Sequence, residues 1–203
     1  MKQSKKIRII IFSVLLILIG GYILLDKELE YQQEQQTEKE LIEEYYENET
    51  IEESEHIEEV ENIEVMEPIK VNYIAILKIP KIDLVKGLVD RNSYLNDVNY
   101  NIQILASSDM PDKEAGNVIL ASHTGTSKVA FFRHIDKLTK GDEITIDYKN
   151  KTYKYQVENI YDIEKTGKAY IKRNKNIKTL TLVSCRFKTN KQIIIISKLI
   201  EEV

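Results

Sequence analysis

The carboxy-terminal two thirds of the chain predict an all-β domain, a barrel or a sandwich with one short helix, and three observations carry that expectation. Short runs rich in β-branched and aromatic residues recur between polar turns from Tyr73 to Ser197. All three prolines and five of the seven glycines lie from Pro68 onward, so turn-forming residues are concentrated there. Only Val129–Leu138 spaces its apolar residues by three and four, as a short helix does.

In order, Tyr73–Ile79, Leu84–Val89 and Ile102–Leu105 read as strands, separated by Pro80-Lys-Ile-Asp and by Arg91-Asn-Ser. Asp109–Gly116 is a loop, and Asn117–Ala121 is a buried strand that runs directly into Ser122-His123-Thr124. The helical stretch stops at Lys140-Gly141-Asp142, with glycine just past the last apolar residue. Glu143–Tyr148 and Lys151–Val157 flank Lys149-Asn150 as a hairpin, the second strand continuing toward Ile163. Thr179–Cys185 alternates, with Leu180, Leu182 and Ser184 on one face and Thr179, Thr181, Val183 and Cys185 on the other. A polar turn, Arg186–Gln192, leads to a second buried strand at Ile193–Ser197.

The amino-terminal third has a different character. Ile9–Leu25 is nearly all apolar, close to the ~20 residues that cross a bilayer core. No small-residue cleavage site follows, and the run exceeds the ~7–15 apolar residues of a secretory leader, so it reads as a transmembrane helix. Lys2, Lys5, Lys6 and Arg8 precede it while Asp26, Glu28 and Glu30 follow, which places the amino terminus in the cytoplasm and the rest outside. Residues 26–67 hold 18 acidic and 2 basic residues and no glycine or proline. Leu41, Ile42, Tyr45 and Tyr46 form a helical stripe without a sustained heptad, so the segment reads as a helical or disordered acidic stalk, with a partner-binding arm as the alternative. His56 lies within it, solvated among glutamates. The expected division is therefore 1–25 anchor, 26–68 stalk and 69–203 folded domain. Their charges segregate as +4 before the stalk, −16 over residues 26–67 and +8 beyond.

The chain has one cysteine, which excludes an intramolecular disulfide framework and a thiolate zinc centre. A cysteine at a strand end is, taken alone, more often an inert small hydrophobe. In an exported chain Cys185 is instead a candidate nucleophile, which needs a basic or cationic partner. His123 stands at a second strand-to-loop junction and is the candidate partner; His134, beside Arg133 and Asp136 on the expected helix, is its rival. No metal, cofactor or nucleic-acid partner is expected, and calcium dependence stays open.

Three motifs together resemble the sortase family. They are Ala121-Ser122-His123-Thr124-Gly125, Leu138-Thr-Lys-Gly141-Asp142-Glu-Ile144 and Thr181-Leu-Val-Ser-Cys185, within a resemblance that covers about residues 70–200. The resemblance implies an eight-stranded β-barrel and cysteine transpeptidation at the cell surface, with Cys185 as nucleophile and His123 as its histidine. The family's arginine opens the strand after the cysteine loop. Here Gln192 occupies that place, able to donate hydrogen bonds to a substrate or oxyanion but uncharged, with Lys191 beside it and Arg186 next to the cysteine. The implied partners are a Leu-Pro-x-Thr-Gly-like sorting signal as acyl donor and a cell-wall precursor or pilin amine as acceptor. A non-catalytic surface binding module and a hydrolytic cysteine peptidase are the other two readings.

Overall fold

The structure, a computed structural model, describes the backbone of residues 2–52 and 71–203 and the side chains of 12, 14–50 and 71–203. It divides into two units, Met1–Glu40 and Leu41–Val203. A single helix, α1 (Lys2–Glu52), begins in the first and ends in the second. Among the described residues no helix is long and apolar enough to cross a membrane. The transmembrane helix expected at Ile9–Leu25 is thus not supported by the described part. His56 and the adjoining part of the acidic stalk lie outside the described residues.

Unit two is an eight-stranded sheet made of β1 (Tyr73–Ile79), β2 (Leu84–Val89), β3 (Gln103–Ile104), β4 (Asn117–Ala121), β5 (Glu143–Tyr148), β6 (Lys151–Glu164), β7 (Thr179–Cys185) and β8 (Lys191–Glu202). The strand order is β2-β1-β5-β6-β8-β7-β4-β3. Every strand sends side chains into one cluster, including Leu77, Leu88, Ile104, Leu120, Ile146, Tyr155, Leu182 and Ile195. A sheet can converge all its strands on one core only by curling, so the sheet is barrel-like, as the sequence led us to expect. The β5–β6 turn carries Lys149 and Asn150 at φ 51° and 56°, the left-handed pair of a tight hairpin.

Two expected elements are reduced. Ile102–Leu105 shrinks to the two-residue β3 because side chains take over the ladder: Asn96 Nδ2 donates to Ile104 O (3.0 Å) and Ile104 N donates to Asn96 Oδ1 (2.7 Å). The helix expected at Val129–Leu138 is a series of three-residue turns ending in a 3₁₀ turn, Ile135–Lys137. Phe132 N donates to His123 O (3.1 Å) instead of closing a helical turn. The burial of Phe132, Ile135 and Leu138, three residues apart, follows the 3₁₀ period.

The end of α1 packs within unit two. Tyr45 is buried with Tyr73, Ile76 and Val89, and Leu41, Ile42 and Tyr46 pack around them. A bulge in β1 between Tyr73 and Ala75 turns Tyr73 to this outer side. Its ring covers Gly87, where any Cβ would lie within the ring. Beneath the helix Asp147 is buried; Lys78 Nζ (2.7 Å), Tyr46 Oη (2.5 Å) and Thr152 Oγ1 (2.6 Å) all reach its carboxylate.

Candidate active site

The site is assembled by strand register. β4 and β7 run parallel, pairing Asn117 with Thr179 and, at the far end, Ala121 with Val183. The register is locked by Asn117, whose Oδ1 accepts from Thr179 Oγ1 and Thr181 Oγ1, both at 2.9 Å. β7 and β8 run antiparallel and pair Cys185 with Gln192. Side chains alternate along each strand. Leu180, Leu182, Val118, Leu120, Ile193 and Ile195 enter the barrel core, while Val183, Ile119, Ala121, Ile194 and Ile196 form an outer cluster. Cys185 and Gln192 therefore share the outer face, as the alternation in the sequence predicts. Ser122 N still donates to Val183 O, so His123 follows two residues past the end of β4, beside the strand that ends in Cys185. The three residues singled out in the sequence thus meet at one end of three adjacent strands.

Four hydrogen bonds fix the backbone there. Ser122 N donates to Val183 O (3.3 Å), which carries the parallel ladder past the end of β4. Ser184 Oγ donates to Ser122 O (2.6 Å) and Thr124 Oγ1 donates to Cys185 O (2.7 Å). Phe132 N holds the His123 carbonyl (3.1 Å), so each residue of the pair is tied on its main chain. These ties were invisible in sequence, although Thr124 stood in the quoted motif. The Leu138–Ile144 motif serves a different end. Thr139 N donates to Asp142 Oδ2 (2.8 Å) and Asp142 N to Thr139 O (3.2 Å), closing the turn that feeds β5.

Cys185 also lines a groove of about 530 Å³, together with Thr124, Gly125, Arg133, His134 and Phe187. His123 and Gln192 do not line it. His134 shares the groove with the thiol and is exposed. Gly125, at φ 109°, lies under the Phe187 ring, which a Cβ would meet at 3.3 Å. Arg186 also lines the groove, and its Nε pairs with Asp162 Oδ1 at 2.9 Å. β8 already begins at Lys191, so alternation directs that side chain away from the face of Gln192.

The family model for the Sortase domain matches residues 77–200. The chain belongs to the sortase family. Members of this family are cysteine transpeptidases. A curated relative, sortase SrtE1 of Streptomyces coelicolor, is 28% identical over 147 residues, covering 63% of this chain and 40% of the relative. The chain thus spans less than half the length of that protein. Among solved structures, a Clostridium perfringens sortase D5 transpeptidase is 27% identical with a TM-score of 0.58, over 81% of this chain and 98% of that one. Sortase E1 from Streptomyces coelicolor, with a tripeptide in its active site, is 26% identical with a TM-score of 0.54, over 64% and 89% of the two chains. The sortase fold accounts for the eight-stranded, barrel-like sheet.

Proposed function

We propose that this sortase is a cell-surface cysteine transpeptidase in which Cys185 is the nucleophile, His123 the general acid and base, and Gln192 a donor to substrate or oxyanion. The observation that carries the reading is the placement of the three residues at one end of three adjacent strands, β4, β7 and β8, within a family of cysteine transpeptidases. A free thiol has a pKa near ~8.5, so an imidazolium partner is needed to populate the thiolate at neutral pH. The thiolate attacks the carbonyl of a Leu-Pro-x-Thr-Gly-like sorting signal and forms a tetrahedral oxyanion, which a Gln192 amide can receive. Collapse expels the amine, which takes a proton from His123 and leaves a thioester on Cys185. An amine of a cell-wall precursor or pilin then attacks the thioester and gives its proton to His123, which forms the new amide and restores the thiolate–imidazolium pair. The residues require no cofactor for this sequence of steps.

The same reading places the protein on the cell membrane through Ile9–Leu25, with residues 26–68 as a spacer and residues 69–203 outside the cell. The apolar run and the flanking charges support it. Carbonate extraction tests the anchor: a chain released from membranes by alkaline carbonate would sink it. One observation favours the binding-module alternative, namely that no arginine stands at position 192 and Arg186 is committed to Asp162.

Intact-protein mass spectrometry separates the readings. The full chain is incubated with a sorting-signal peptide library, and an added mass equal to the amino-terminal peptide fragment is expected on wild type and absent from Cys185→Ala. Its discharge by added amines, faster than by water, identifies a transpeptidase rather than a hydrolase. A folded protein that forms no adduct with any peptide would reject the enzymatic reading.

A further inference from the structure

Between Glu164 and Ile193 the chain carries nine basic residues and no acidic one. This stretch comprises the β6–β7 connection, β7 and the β7–β8 connection, so Cys185 lies within it. The two connections form one lip, because Lys165 N donates to Asn190 O (3.0 Å). The lip is fastened to the sheet. Tyr161 Oη donates to Tyr170 O (2.7 Å) and accepts from Lys172 N (2.9 Å), Ile171 packs against the outer cluster that contains Val183, and Arg173 Nη1 donates to Ala115 O (3.1 Å).

Some of the charge is engaged: Lys178 pairs with Glu202 and Arg186 with Asp162. Lys165, Lys168 and Lys191 are exposed and meet no carboxylate among the described residues, whereas Lys175 lies toward Thr179, at the other end of β7. Lys188 lies over the Phe187 ring, its Nζ 5.3 Å from the ring centroid. Like charges held on one fixed lip repel one another and create a positive potential at the mouth of the site. Two largely exposed rings, Tyr170 and Phe187, interrupt the cations and offer apolar contact to side chains.

We infer that this lip recognises acidic residues flanking the cleaved segment of the polypeptide donor, so that the enzyme selects sorting signals set in an acidic context. The inference rests on the transpeptidase reading and specifies its donor. A polypeptide fits better than a phosphate polymer on two grounds. The free cations are lysines, point charges without the fork that grips phosphate in two places. The lip is also continuous with the strand that ends in Cys185, so a chain lying across it is the chain whose carbonyl reaches the thiol.

The test compares three peptides with one sorting core and flanks of Glu-Glu, Ser-Ser or Lys-Lys, on the full-length wild type and on Lys165→Glu/Lys168→Glu/Lys191→Glu. Initial acylation rates are read at low and high salt, and binding is read separately by fluorescence anisotropy on the Cys185→Ala background. Wild type is expected to acylate with the acidic peptide about tenfold faster than with the basic one at low salt, the gap closing at high salt. The triple variant should reverse the order while keeping the serine-flanked rate, which also reports that it is folded. Equal rates and equal binding for all flanks would overturn the inference. A flank preference unchanged by the triple substitution would remove it from this lip. If no peptide acylates Cys185 but the flank order persists in binding, the transpeptidase reading fails and the lip assignment stands. Polyphosphate that competes at the same lip while acidic peptides do not would reassign it to an anionic polymer.

Discussion

Tyr46→Phe isolates the contact through which the end of α1 joins the barrel. The substitution removes one oxygen and leaves the ring, so the apolar packing of Tyr46 beside Tyr45, Leu41 and Ile42 is kept. What is lost is the 2.5 Å hydrogen bond to the Asp147 carboxylate, a group that is 6% exposed. Hydrogen bonds to charged groups contribute about 1.5–3 kcal/mol, and since Lys78 and Thr152 remain on Asp147 we expect the lower part, about 1.5–2 kcal/mol. For a domain of this size that lowers Tm by roughly 3–8 °C. The effect carries a pH signature. Burial alone would raise the Asp147 pKa, but hydrogen bonds from Lys78, Thr152 and Tyr46 outweigh it and hold the carboxyl below its ordinary value. A depressed folded-state pKa gives stability that is present above the ordinary carboxylate range and lost as pH falls through the folded value. The penalty of Tyr46→Phe should therefore be full at pH 7 and fade below about pH 4. Thermal melts of both proteins across pH 3–8 measure it. Equal melting temperatures at pH 7 would refute the docking, as would a penalty that does not fade in acid.

The remaining predictions concern the site and one packing contact. Cys185→Ala should abolish the acyl-enzyme in mass spectrometry with an unchanged melt, whereas His123→Ala should slow acylation by about 10²–10⁴-fold; robust turnover by the latter would move the base to His134. Gln192→Ala should lower kcat by about 10²-fold if its amide receives the oxyanion, and unchanged kinetics would clear it of that role. Thr124→Val keeps the shape of the side chain but frees the Cys185 carbonyl. It should slow acylation several-fold, and Thr124→Ser should restore the rate; a serine variant as slow as valine would indicate packing rather than the hydrogen bond. Gly87→Ala forces a Cβ into the Tyr73 ring and should cost about 1–3 kcal/mol in a denaturant melt, with a null result placing the ring elsewhere.

The sequence disclosed what depends on local periodicity and hid what depends on distant partners. The alternation of Thr179–Cys185 put Leu180 and Leu182 on the core side and Val183 and Cys185 on the other, which is the observed division. Five strands, β1, β2, β4, β5 and β7, begin and end where apolar runs met turn residues. Val129–Leu138 misled because Phe132, Ile135 and Leu138 at spacing three serve a 3₁₀ turn as well as an α-helix. The deciding bond comes from the His123 carbonyl, outside that stretch. Likewise the stripe at Leu41, Ile42, Tyr45 and Tyr46 was visible, but the carboxylate that receives it lies about a hundred residues on, at Asp147. The site residues were legible because a family motif names them. Their common end of the sheet follows from register, which one chain's pattern does not specify across the β4–β7 crossover.

Gln192 changes the electrostatics that this arrangement can apply. A cation opposite Cys185 would favour both the thiolate and the tetrahedral oxyanion, whereas a neutral amide offers the oxyanion a dipole and the thiolate little. The two nearest cations in sequence do not replace it: Arg186 is paired with Asp162, and Lys191 alternates to the other side of β8. Positive potential at this site comes from Arg133 and Arg186, which line the groove with Cys185, and from the exposed lysines of the lip, whose more distant part is screened within about 10 Å at moderate salt. A lip that selects acidic donors also has its field spent on them once they bind. In the proposed mechanism, stabilisation of the transition state then falls to local groups: the amide of Gln192, the imidazole of His123 and the main chain that Thr124 and Phe132 hold in place.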